Sequence, residues 1–420
     1  MSKAYHAAAL CATSEDRLAA VARVAPLGTY GKSSSTLAQP GVVTAERTKE
    51  ILTARYGLRS EARHLLPNEA VARCGRALAP LSTGVSVLYS PSAQSSHFGG
   101  LQACHSVWMC PCCAAKITER RRLELTIALR QARAQGMQVV MCTYTFSHHR
   151  GQVLKTMMKS LTRAWSLFTS GRRSARLYED FDVIGFVRAL EVTYSELNWW
   201  HPHIHQLVFL PAGADIAAFA VRARGMWEDA AAAAGLSMDE HGFKLNSCDE
   251  KIADYIAKFG HEPSDTTKKA WEQGWNETNE LTKWHTKQGH ETRIGKNDHL
   301  TPMQLLRFSA AGDEWAGSLF QEYAGVFKGK RQLFWSPGLK ALFNIKEMTD
   351  KEVAEQEVAD AEKLAFLYKE EWQCVLGNDA CVELLMVARS GLAWKVADFL
   401  YTLGLERFAP GGDWCRFDAC

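Results

Sequence analysis

The chain has 420 residues, 47% hydrophobic and 23% charged, the composition of an ordinary globular protein long enough for two or three domains. No run approaches the roughly 18 apolar residues of a membrane span. No basic segment leading into an apolar core opens the chain, so the expected location is the cytoplasm, with no membrane partner. A net charge of +3 excludes recognition of nucleic acid by overall charge, so a DNA-binding surface has to come from local clusters.

Residues 1–70 mix Ala, Ser, Thr and Arg with weak periodicity and read as a poorly defined leader or a short helical extension. A Cys-containing module follows, from Cys74 to about Lys116, in which Val85, Val87 and Tyr89 alternate as on a strand. Of the twelve cysteines, four crowd into residues 104–113, which in a cytosolic chain indicates a metal site rather than a disulfide framework. Cys110 and Cys113 form a C-x-x-C pair, and with Cys104 and Cys74 they make the four-thiolate set expected to hold a structural Zn²⁺. His97 and His105 are alternative ligands, and Cys112 points away from the pair.

A basic amphipathic helix is predicted from about Lys116 to Gln135, with Leu125, Ala128, Leu129 and Ala132 on one face and Gly136 at its C-terminal end. With the Cys module it makes a domain over 71–136. Lys116, Arg120 and Arg121 on this helix suit phosphate contacts, although a plain solvated face fits equally well. The middle third alternates types. Val139–Phe146, Val183–Tyr194 and His203–Leu210 read as strands, with Ser195–Pro202 as a loop. Helices are predicted at about 152–170, 214–234 and 248–259. This is an α+β pattern, assigned to a domain over 137–262. Residues 263–420 are polar to about 300 and then mostly helical, with a Thr349-x-x-Glu352 capping box. Within them Lys328, Lys330 and Arg331 interleave with Phe327, Phe334 and Trp335, a pattern suited to single-stranded DNA and equally to a strand with a basic turn.

The segment Trp199-Trp200-His201-Pro202-His203-Ile204-His205 carries the most chemistry. On a strand His203 and His205 project to one side, about 7 Å apart, and converge on one ion. Glu191 stands on the preceding strand among residues that favour burial, where an unpartnered carboxylate is costly. Antiparallel pairing would bring it to the histidines as a third ligand, and such a mixed nitrogen and oxygen site suits Mn²⁺ or Mg²⁺. Downstream, Tyr255 and Lys258 lie three apart on a predicted helix opened by Ser247 and Glu250 and closed by Gly260. A phenol ionises near pH 10, so a tyrosine nucleophile needs a neighbouring positive charge, which Lys258 supplies.

The order Cys142-Thr143-Tyr144-Thr145-Phe146, then His-Pro-His-Ile-His, then Tyr255-Ile256-Ala257-Lys258 resembles the three motifs of the HUH endonuclease superfamily, specifically the plasmid rolling-circle replication initiators with one motif tyrosine. Cys74-Gly75-Arg76, Trp108-Met109-Cys110-Pro111, Leu333-Phe334-Trp335-Ser336 and Gly338-Leu339-Lys340 share in the likeness, which spans roughly residues 70–345. The resemblance implies an antiparallel, RRM-like HUH core, a metal held by His203 and His205, and Tyr255 as the nucleophile that nicks one strand at a plasmid double-strand origin. It also implies a 5′-phosphotyrosine link, a 3′-OH that primes host polymerase, and capture of single-stranded DNA. No G-x-x-x-x-G-K-[ST] is present, so unwinding falls to a host helicase. Some relatives carry a glutamate four residues before the tyrosine, where this chain has Lys251. Three other readings stand beside this one. The first is an HUH transposase or relaxase, although relaxases place their tyrosine before the histidines; the second is a non-catalytic zinc-module regulator. The third is a metal-dependent hydrolase that uses His-x-His and water.

Overall fold

The computed structural model describes residues 44–247, 300–356 and 359–410. In chain order its elements are α1 (Ala45–Leu65), β1 (Gly84–Ser90), β2 (Ser95–Gly99), α2 (Pro111–Ala134), β3 (Gln138–Tyr144), α3 (Leu154–Thr169), α4 (Gly171–Asp180), β4 (Gly185–Ser195) and β5 (Trp199–Leu210). They continue with α5 (Ile216–Ala233), β6 (Phe243–Ser247), α6 (Pro302–Ala310), α7 (Glu314–Phe327), β7 (Leu333–Trp335) and α8 (Leu339–Leu342). The last are α9 (Asp350–Glu355), β8 (Glu362–Tyr368), α10 (Lys369–Gly377), α11 (Cys381–Ala388) and α12 (Ala393–Thr402). No helix among the described residues is long and apolar enough to cross a membrane.

Two compact units result. One is Ala115–Met348; the other joins the segment ending at Ala114 to the segment starting at Thr349. The division cuts through α2, whereas the sequence reading set a boundary after residue 136.

The first unit is built on a five-stranded antiparallel sheet of order β6-β3-β5-β4-β7. Side-chain alternation sorts its residues onto two faces. On one face Val139, Met141, Val187, Ala189, Leu207 and Phe209 pack against Leu125, Ala128, Leu129 and Ala132 of α2, with Leu339 and Phe343 beside them. That stripe is the one the sequence spacing predicts, and the helix ends as expected: Gly136 takes φ +72°, and the Met137 N–H donates to the Ala132 carbonyl at 2.9 Å. On the other face Tyr144 is fully buried, its ring 4.9 Å from Phe168 of α3 and 5.3 Å from Trp227 of α5, and its hydroxyl donates to Gln206 Oε1 at 2.7 Å. Helices therefore cover both faces of the sheet, which fixes the register of each strand.

Three departures from the sequence reading have physical causes. β5 starts at Trp199, so the segment taken as a loop up to Pro202 continues the ladder with β4. Pro202 is tolerated because the pairing with β3 stops at Ile204, and its missing N–H costs no bond to that strand. β6 and β7 add short strands at the two sheet edges, one of them closed by Ser247, the residue read from sequence as a helix cap. The helix predicted over 248–259 lies outside the described residues. Arg121, expected to meet phosphate, is 8% exposed and holds Glu124 through two 3.0 Å contacts, while its Nη2 donates to the Met348 carbonyl. The Glu124 carboxylate also takes Lys340 Nζ at 3.0 Å and Arg120 Nε at 3.3 Å.

In the second unit β1 sits between β2 and β8. β8 falls in a stretch read as mostly helical. Gly84 permits the approach of β8, since a Cβ there would lie 2.3 Å from the Leu367 carbonyl oxygen. Val85, Val87, Ala365, Leu367 and Trp372 form the core with α11 and α12. The Trp372 indole donates to the Arg76 carbonyl at 2.8 Å. The Thr349–Glu352 capping box opens α9 as read from sequence.

Replacing Glu124 by Ala strands the Lys340 ammonium and the Arg121 guanidinium in a buried site. The expected loss in urea unfolding is roughly 3–5 kcal/mol, well beyond the surface-pair value of at most about 1 kcal/mol that an exposed network would give.

Candidate functional site

The covered face of the five-stranded sheet changes character along β4 and β5. Beyond the apolar stretch the same parity places Glu191 directly across from His203, and Thr143 and Ala189 across from His205. Glu191 Oε2 lies 3.3 Å from His203 Nε2 and 3.3 Å from His205 Nε2. These side chains are only 6%, 13% and 5% exposed. One ligand atom from each lies within 4.8 Å of the others.

The other nitrogen of each ring is engaged. His203 Nδ1 donates to the His201 carbonyl at 3.1 Å, and His205 Nδ1 meets Thr143 Oγ1 at 2.9 Å. A carbonyl only accepts, so in the neutral ring the proton of His203 sits on Nδ1 and the Nε2 lone pair faces the carboxylate. A lone pair and a carboxylate oxygen 3.3 Å apart repel unless a proton or a metal cation stands between them. The group therefore fits a divalent cation, with the His201 carbonyl and the Thr143 hydroxyl orienting the two imidazoles. His201, within the segment read from sequence as a loop, belongs to the same face. Its ring lies 5.1 Å from that of His203, and its Nε2 is 2.7 Å from Thr145 Oγ1. Shared parity with His203 was the signal for it, masked by the proline.

Tyr255, Lys258 and Lys251 lie outside the described residues. Lys116, Lys328 and Arg331 are exposed, and Lys330 is half-buried. Arg331 rests over the Phe334 ring at 5.6 Å. Arg120 is partly exposed and shares Glu124 with the buried Arg121.

The second group lies in the other unit. Cys74 Sγ is 3.7 Å from Cys110 Sγ and 3.6 Å from Cys113 Sγ, and Cys104 Sγ is 3.7 Å from Cys113 Sγ. Tetrahedral bonds of about 2.3 Å to one ion would separate the sulfurs by about 3.8 Å, so the four thiols fit a single metal. Cys110 precedes Pro111 at the start of α2, and its sulfur accepts the Cys113 N–H at 3.4 Å as an N-cap would. His97 and His105 stay out of the group, and His105 instead contacts Glu355 at 2.8 Å. Cys112 is half-buried and also outside it.

Arg59 backs the cluster. Buried to 7% exposure, its guanidinium stacks 4.2 Å above the Tyr56 ring. Gly75, at φ +64°, makes room, since a Cβ there would lie 2.0 Å from Arg59 Nη1. Burial works to discharge Arg59, but the sulfurs of Cys112, Cys110 and Cys74 and the Tyr56 phenol outweigh it and hold its pKa above the ordinary value. Four thiolates around a divalent ion leave net negative charge, which this guanidinium offsets.

His205→Ala is expected to abolish Mn²⁺ binding at the Glu191 group in calorimetry. Thr143→Val, which removes only the orienting hydroxyl, should weaken it by about 10–100-fold while the circular dichroism of the chain is unchanged.

A family model described as "Replication protein", Rep_1, matches residues 99–215, a span that contains Glu191, His203 and His205 and three of the four clustered cysteines. A protein named Protein rep from Streptomyces lividans is 25% identical over 325 residues, covering 62% of this chain and 67% of that one. A protein named Neomycin resistance protein from Streptomyces cyanogenus is 29% identical over 136 residues, 26% of this chain and 31% of that one, so the chain spans under a third of this relative. No solved structure matches the chain. The buried carboxylate and histidine pair thus lie inside a segment, residues 99–215, that matches the Rep_1 model of replication proteins.

Proposed function

We propose that the chain initiates rolling-circle replication of a plasmid by nicking one strand at the double-strand origin through an HUH-type site. The observation that carries this reading is the buried standoff of Glu191 Oε2 against two imidazole nitrogens, each at 3.3 Å, on paired strands of an antiparallel sheet. Such a group holds a divalent ion, Mn²⁺ or Mg²⁺, which when bound polarises the non-bridging oxygens of a phosphodiester. His203, His205 and Glu191 fix the place where the scissile phosphate docks, and Thr143 and the His201 carbonyl keep both imidazoles in register.

Tyr255 supplies the nucleophile and Lys258 the positive charge that favours its phenolate; both enter on the sequence alone. The phenolic oxygen bonds to phosphorus, the bond to the 3′ oxygen breaks, and that oxygen takes up a proton. The products are a 5′-phosphotyrosine and a free 3′-OH that host polymerase extends. The phosphodiester's energy is retained in the tyrosyl ester, so the site can rejoin strands. A host helicase unwinds the duplex. Lys116, Arg120, Lys328, Lys330 and Arg331 contact the DNA backbone, whereas Arg121 is held by Glu124. The four-cysteine group takes Zn²⁺ and has a structural role, since four protein ligands leave no open position.

Supercoiled plasmid carrying the cognate origin, incubated with the chain and Mn²⁺, is expected to yield nicked circles with a protein-linked 5′ end. Tyr255→Phe should reduce nicking to background while retaining Mn²⁺ binding and origin binding. Nicking without any covalent adduct would replace this mechanism with hydrolysis by water. Purified chain should carry zinc near stoichiometric amounts, lost in Cys113→Ser and on chelation together with the cooperative unfolding of the β1–β2–β8 unit.

A further inference from the structure

The face of β5 that holds the metal group continues past it. Trp199, His201, His203 and His205 share parity and line one side of the strand from the β4–β5 turn inward. The segment after β3 runs beside them. Thr145 Oγ1 is 2.7 Å from His201 Nε2, the His148 ring is 4.5 Å from the His201 ring, and the Arg150 guanidinium lies 5.9 Å from the centre of the Trp199 ring. Ser147 anchors the segment from its other side, through backbone bonding to Ser237 and a 3.0 Å bond to Asp239.

Trp199 stands out in this row. Its φ is +62°, in the left-handed region that a bulky side chain rarely adopts and that Gly or Asn occupies without cost. Its ring is half-buried, not packed into the core as is the neighbouring Trp200, which is 1% exposed. The backbone thus presents a half-buried aromatic ring beside an exposed arginine, on the strand that carries the metal group.

We propose that Trp199 is a base-stacking platform for the single strand entering the site, with Arg150 taking a flanking phosphate. This rests on the nicking reading, in which the scissile phosphate docks at His203 and His205. Four residues of strand separate His203 from Trp199, about 14 Å, which corresponds to about four nucleotides at the roughly 3.4 Å rise of a stacked strand and fewer if the strand is stretched. Aromatic rings accept any base by its π-face, so the contact holds the strand without reading its sequence. An arginine beside the ring suits the phosphate that follows each base.

The test uses the full chain with fluorescein-labelled oligothymidylate of twelve residues, in metal-free buffer, read by anisotropy. Trp199→Asn is the informative variant because asparagine fits the backbone and removes the ring. It is expected to weaken binding about tenfold, whereas Trp199→Phe retains most of the affinity. Arg150→Ala should flatten the logarithmic salt dependence by about 0.7. Photo-crosslinking of the same oligomer carrying 5-iodouracil should label the peptide containing Trp199. Unchanged affinity in Trp199→Asn, or crosslinks confined to other peptides, overturns the proposal, as does a wild-type chain that leaves the oligomer unbound. Plasmid nicking and Mn²⁺ binding by the wild type are scored in parallel. Nicking with no effect at Trp199 sinks the platform alone, whereas absent nicking with a clear Trp199 effect sinks the nickase reading and leaves a single-strand binding surface.

Discussion

The proposed site depends on one electrostatic conflict. Two imidazoles, one of which in its neutral form carries the proton on the far nitrogen, face a carboxylate in a site with little exposure to water. A folded chain does not keep such a cluster without a counter-charge, because each group would be better solvated outside. The sheet supplies the rigidity that makes the conflict tolerable. Glu191 and His203 sit opposite one another on paired strands, and a slip of one residue would send both to the far face.

Zoning along a single sheet face explains how the same strands serve as core and as site. The β4 and β5 side chains of one parity are apolar where α2 packs and ionisable beyond it. The helix clamps one end of each strand, so the other end can be polar without losing register. The group is thus built on strands rather than loops, which suits chemistry that tolerates little displacement.

How much of this was readable in advance varies residue by residue. The His203–His205 pair and its partner Glu191 were legible because strand parity is a local property, and because an acid among β-formers is costly unless it has a role. The α2 stripe was legible for the same reason at helical spacing. β8 was not, since Glu362 and Lys363 begin it with charges and its partner β1 lies more than 270 residues away in sequence. Arg121 misled because a basic residue on a helix reads as solvated, and the Lys340 that completes its buried network comes from a distant segment. Pro202 hid the strand start and with it Trp199 and His201, because a proline normally ends pairing, and only the early end of the β3 ladder excuses it here.

The second unit is assembled from the two flanks of the first, and this has a kinetic consequence during synthesis. β1 leaves the ribosome long before β8 exists; at about 5–20 residues per second the gap is roughly 15 to 55 seconds. In that interval the middle unit has all its own strands through β7 and is free to fold, while Val85 and Val87 have no third strand to cover them. The early thiols meet a different situation. Cys74 precedes β1, and Cys104, Cys110 and Cys113 follow it early in that interval, so metal capture by these four can knot the waiting segment into a compact form and shield it from oxidation and aggregation until its closing strand arrives.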